Sequence, residues 1–63
     1  MSLSEKVKQL TNLPKRMSKE QVRERLKQLE ALSTNRDIYY ELNHTEQMLI
    51  FLTIDLLNKK LYA

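Results

Sequence analysis

The last third of the chain carries two hydrophobic patterns at once. Ile50, Ile54, Leu57 and Leu61 follow the helical i, i+4, i+7, i+11 spacing and fall within about 60° of a wheel stepped at 100° per residue. Leu49, Leu52 and Leu56 make a second apolar sector on another side, and Met48, Phe51 and Tyr62 occupy part of what remains. Polar residues are confined to narrow strips, Thr53 with Lys60 and Gln47 with Asn58. A helix that is apolar on nearly every side needs cover on nearly every side.

The rest of the chain offers limited cover. Leu3, Val7 and Leu10 have the spacing of one face of a short opening helix, with Ser4 placed to cap it. Pro14 disfavours helix at Leu13, so Thr11 to Met17 reads as a linker that exposes Lys15 and Arg16. Ser18 and Gln21 have the spacing of a capping box, which predicts a helix over about 19–32. Val22, Leu26, Leu29 and Leu32 line one side of it. On the other side, Glu20 with Arg23, Glu24 with Lys27 and Lys27 with Glu30 are spaced to pair at i, i+3.

Ser33, Thr34 and Asn35 compete for backbone hydrogen bonds and mark a break, with Thr34 and Asp37 at capping distance. Helix resumes near Arg36. Asn43, His44 and Thr45 offer a further cap with Glu46 behind it, which favours a short helix and a restart over one helix from 36 to 62. If that helix were continuous, Ile38 and Leu42 would extend the Leu49, Leu52 and Leu56 line backwards.

These elements predict an all-α chain, a small helical hairpin or three-helix unit with the C-terminal helix at its centre. Residues 1–17 form a short helix and basic linker, and 18–63 the helical core. Either the opening helix and the 36–43 segment close over the second apolar sector, or a second copy or another protein completes the fold. The second course is expected, because 63 residues bury only about 60% of the surface their unfolded chain exposes. Leaving several such side chains wet forgoes roughly 1.5 to 3 kcal/mol each. The expected interface comprises Leu49, Ile50, Phe51, Leu52, Ile54, Asp55, Leu56, Leu57 and Leu61.

Composition narrows the chemistry. There is no cysteine and one histidine, so disulfides, thiolate metal sites and imidazole clusters are ruled out, and association is the remaining aid to a small core. The absence of glycine argues against phosphate-cradling loops and tight hairpins. The longest apolar stretch, Met48 to Leu57, contains Asp55 and falls short of the roughly 18 to 20 residues of a spanning helix. No secretory signal is visible at residues 1–13. A cytoplasmic protein without membrane contact is expected.

Charge is uneven. Residues 1–27 carry eight lysines and arginines against three glutamates, a balance of +5, and residues 28–63 carry a balance of −2. Lys19, Arg23 and Lys27 form an i, i+4, i+8 stripe, and with Lys15 and Arg16 they are the candidate contacts for phosphates or an acidic partner. Glu20 and Glu24 lie beside the stripe and partly cancel it, so a solvated face is the simpler reading and any nucleic-acid binding is expected to be weak. The 33–35 turn lacks glycine, and the helix after it is too apolar for a recognition helix.

No catalytic group is expected. His44 sits at a helix boundary as an exposed capping residue, and Asp37 with Glu41 reads as a solvated pair rather than a metal site. Asp55 pairs with Lys59 four residues on, or else is a buried charge that a partner must neutralise. No metal or cofactor is implied. The sequence therefore predicts a non-enzymatic interaction protein, a regulator that dimerises or docks on a larger protein. Its size and helical pattern are similar to those of many small phage and bacterial regulators, an analogy that points to transcription or replication machinery as the target. The alternatives are a nucleic-acid module built on the basic half and a structural subunit of a larger particle.

Overall fold

A computed structural model describes residues 2–62. They form helices α1 (Leu3–Thr11), α2 (Lys19–Thr34), α3 (Arg36–Glu41) and α4 (His44–Tyr62). The described residues are all-helical, as the periodicities predict, with four helices where a hairpin or three-helix unit was expected. At 1.5 Å per residue the 19 residues of α4 extend about 28 Å, close to the 32 Å longest dimension of the molecule. Helix α2 packs along α4, α1 lies against both, and α3 packs on α2.

Each boundary has a local cause. Ser2, not Ser4, caps α1: its Oγ accepts from the Glu5 N–H at 3.2 Å. Both serines are suitable caps, and the earlier one brings Glu5 into the first turn, where its charge favours the helix dipole. At the start of α2 the predicted capping box is present in both directions. The Ser18 N–H donates to Gln21 Oε1 at 2.9 Å, and the Gln21 N–H to Ser18 Oγ at 3.2 Å.

Helix α2 runs on through Ser33 and Thr34, whose hydroxyls donate to the Glu30 carbonyl at 3.0 and 2.9 Å. The break is thus one residue wide. Asn35 ends α2 and also caps α3, its Oδ1 accepting from the Ile38 N–H, so it takes the role assigned to Thr34 in the sequence reading. The predicted restart follows. Asn43 Oδ1 accepts from the Glu46 N–H at 2.8 Å, and Glu46 Oε1 from the Asn43 N–H at 3.3 Å.

The core joins both parts of the chain. Val7 and Leu10 of α1, Val22, Leu26, Leu29 and Leu32 of α2, Leu42, and Ile50 and Leu57 of α4 are buried together. Leu13 and Met17 pin the linker against this cluster, and Ile38, Ile54 and Leu61 pack on its edge. Because α3 and α4 are separate helices, Ile38 and Leu42 turn inward and do not extend the Leu49, Leu52 and Leu56 line.

Two polar side chains lock the arrangement. Arg25 Nη1 donates to the Gln9 and Leu10 carbonyls at 3.0 and 2.9 Å, closing the C-terminal end of α1 from the side of α2. Gln47 Nε2 donates to the Tyr39 and Leu42 carbonyls at 2.8 and 3.3 Å and ties α4 to the end of α3.

Candidate docking face

Two of the nine expected interface residues belong to the interior. Ile50 and Leu57 have no exposed surface, and Ile54 and Leu61 are half-buried against the same core. The isoleucine sector of α4 is therefore the side on which α1 and α2 pack. Leu49, Phe51, Leu52, Asp55 and Leu56 remain exposed, together with Met48 and Tyr62.

The exposed face follows from which helices could reach it. Helix α1 lies on the core side with Val7 and Leu10 turned inward, and α3 packs on α2, so neither closes over the leucine sector. Leu52 and Leu56 stay 56% and 51% exposed, and Phe51 54%. The result is a stripe more than two turns long, from Met48 to Leu56, flanked by Tyr62.

Its aromatic edge is in contact with α3. The ring of the half-buried Tyr39 meets that of Phe51 in a T-shaped contact with centroids 5.8 Å apart, and that of Tyr40 in a second one at 6.2 Å. Edge-to-face contact is one of the favoured geometries for such rings. Asp55 and Lys59 are the charges within the stripe. Lys59 Nζ lies 3.3 Å from Asp55 Oδ2, and both side chains are well exposed, so the pair contributes little to stability.

Thr53 was read from sequence as part of a polar strip, but it is buried with the core. Its Oγ1 donates to the Leu49 carbonyl at 2.7 Å, which satisfies the hydroxyl inside the helix. The wheel signals this only weakly, since Thr53 adjoins the isoleucine sector and is the one member of its strip able to bond its own backbone.

The basic candidates are all exposed. Lys15 and Arg16 lie on the linker, and Lys19, Arg23 and Lys27 on the outer side of α2. Arg23 and Lys27 share a shallow groove with Glu20, Gln21 and Glu24, so the surface there carries both signs. None of the i, i+3 pairs expected on α2 closes to within 4.0 Å among the described residues. Arg25 was not singled out by the sequence, because its partners are carbonyls of a different helix more than a dozen residues away.

His44 opens α4 and is exposed, with Asn43 rather than His44 supplying the cap. Asp37 and Glu41 are also exposed, and among the described residues no three histidine or acidic side chains gather as a metal set. No described helix is long and apolar enough to cross a membrane. No protein-family model, curated protein or solved structure matches this chain.

Proposed function

We propose that this chain is a non-enzymatic helical protein that acts by binding another protein, with the exposed side of α4 as its docking surface. One observation carries the reading. After α1, α2 and α3 have packed, Met48, Leu49, Phe51, Leu52 and Leu56 still form a contiguous apolar stripe in water. Single exposed apolar residues are ordinary on protein surfaces, whereas a contiguous patch of several marks an interaction site.

The chemistry of the stripe fits an amphipathic helix or a flat apolar surface as its counterpart. Leucine, methionine and phenylalanine contribute area without directional bonds, and Met48 adapts to irregular contours. The basic side of α2 supports nucleic-acid binding less well, because Glu20 and Glu24 share its groove with Arg23 and Lys27.

The experiment is affinity capture from the host lysate with three immobilised forms: wild type, Leu52→Glu, and Arg23→Glu with Lys27→Glu. A protein retained by the wild type and by the α2 variant, but lost with Leu52→Glu, supports the reading. Retention of nucleic acid that depends on Arg23 and Lys27 and ignores Leu52 would overturn it.

A further inference from the structure

We infer that α1 is a strap that releases from α2 and α4 as one unit while those two helices stay paired, and that its release opens the core on the inner side of α4.

The hold on α1 is light. Of its nine residues only Val7 and Leu10 are buried, and Ser4, Glu5, Lys6, Lys8 and Gln9 are exposed. Helix α2 buries four residues, and its packing along α4 is the most extensive in the fold. Helix α1 also falls below the roughly 12 to 15 residues under which isolated helices are marginal in water. Its helical form therefore depends on the docking of Val7 and Leu10, so undocking and unfolding are a single event.

Its polar ties are few as well. Among the described residues, α1 is hydrogen-bonded to another helix only through Arg25 Nη1, which reaches the Gln9 and Leu10 carbonyls and, at 3.5 Å, that of Asn12 just beyond them. Glu5, Lys6 and Lys8 form no ion pair among the described residues. The Arg25 bonds all fall at one end of α1, so they are lost together when that end lifts.

The connection to α2 permits the motion. Among the described residues, 13–17 take part in no backbone-to-backbone hydrogen bond: the last of α1 runs from the Asn12 N–H to the Lys8 carbonyl, and the first of α2 from the Val22 N–H to the Ser18 carbonyl. Torsions between them can change without breaking a backbone bond, as in a hinge. The capping box of Ser18 and Gln21 fixes the start of α2 independently of α1, so α2 keeps its first turn when the strap leaves.

Release has a defined consequence for the surface. Leu26, Leu29, Ile50 and Leu57 remain clustered between α2 and α4, but Val7 and Leu10 no longer close that cluster. With α1 docked, only the outer apolar side of α4 meets solvent; with α1 released, part of the inner side does so too.

Native-state hydrogen exchange on the full chain, in urea below the unfolding transition, reads the release directly. The amides of residues 7–12 should share one opening equilibrium, with protection at least about tenfold below that of Leu29 and Ile50. Their common urea slope should lie above zero and below the global slope, because the slope scales with the surface exposed and release exposes part of the core. The chain has no cysteine, so an introduced thiol gives a second reading. Alkylation of Val7→Cys should be at least about tenfold faster than that of Leu29→Cys, although both positions are buried.

Protection and slope at residues 7–12 equal to those of Leu29 and Ile50 would show that α1 leaves only on global unfolding, which overturns the strap. Protection graded along α1 with no urea dependence would show fraying from one end, which overturns release as a unit. Equal alkylation of the two cysteine variants contradicts an opening of the core at α1.

Discussion

Arg25, in the middle of α2, donates from Nη1 to the carbonyl of Leu10 at 2.9 Å and so joins the helix that carries the core to the end of the helix that caps it. Leu10 is itself buried, so one contact fixes both the backbone and the side chain at the end of α1. The link is a charged donor on neutral carbonyls, of the kind worth about 1.5 to 3 kcal/mol. Screening by solvent reduces that figure here, because Arg25 is only half-buried.

Replacing Arg25 with methionine keeps an apolar stem and removes the donors. Arg25→Met is expected to cost about 1 to 2 kcal/mol in urea denaturation, with faster amide exchange concentrated in residues 3–11. Equal protection along α1 in both proteins would contradict this.

The two apolar sides of α4 should respond oppositely to truncation. Ile50→Ala opens a cavity in the core and is expected to cost about 2 to 5 kcal/mol. A 63-residue domain has only about 3 to 9 kcal/mol in total. Leu52→Ala should change the unfolding free energy of a dilute monomer by less than about 1 kcal/mol, since Leu52 is more than half exposed and little intramolecular packing is lost. Far-UV circular dichroism during urea titration at low concentration separates the two.

Thr53 offers a test of whether its hydroxyl contributes to the core. Its Oγ1 bonds the Leu49 carbonyl, an atom that the backbone of α4 also engages as part of the helix. Removing the hydroxyl leaves no orphaned partner, so Thr53→Val is expected to be within about 1 kcal/mol of wild type. Thr53→Asp at the same position should prevent cooperative unfolding by burying a charge without a counterpart.

The junction of α3 and α4 depends on Asn43. Asn43→Ala removes the side-chain acceptor for the Glu46 N–H and should cost about 1 kcal/mol, read as a lowered thermal midpoint. Asn43→Asp restores an acceptor at that position and should recover most of the loss.

Much of this was legible along the chain, for physical reasons that differ from element to element. The capping pairs Ser18 with Gln21 and Asn43 with Glu46 are local, so spacing alone locates the starts of α2 and α4. The two sectors of α4 are equally local, but which one faces inward is decided by α1 and α2. Tertiary packing chose the isoleucines, and Ile50 and Leu57 thereby left the expected interface. Arg25 and Gln47 were not legible, since each acts on carbonyls of another helix. Thr53 was misplaced because burial of a hydroxyl depends on whether its own helix can accept from it.

Capture from the host lysate on wild type and Leu52→Glu side by side tests the central claim most directly. If Met48, Leu49, Phe51, Leu52 and Leu56 form a docking face, a protein retained by the wild type should be lost with Leu52→Glu while the helical circular dichroism is unchanged. Equal retention by the two would contradict a docking role for this face.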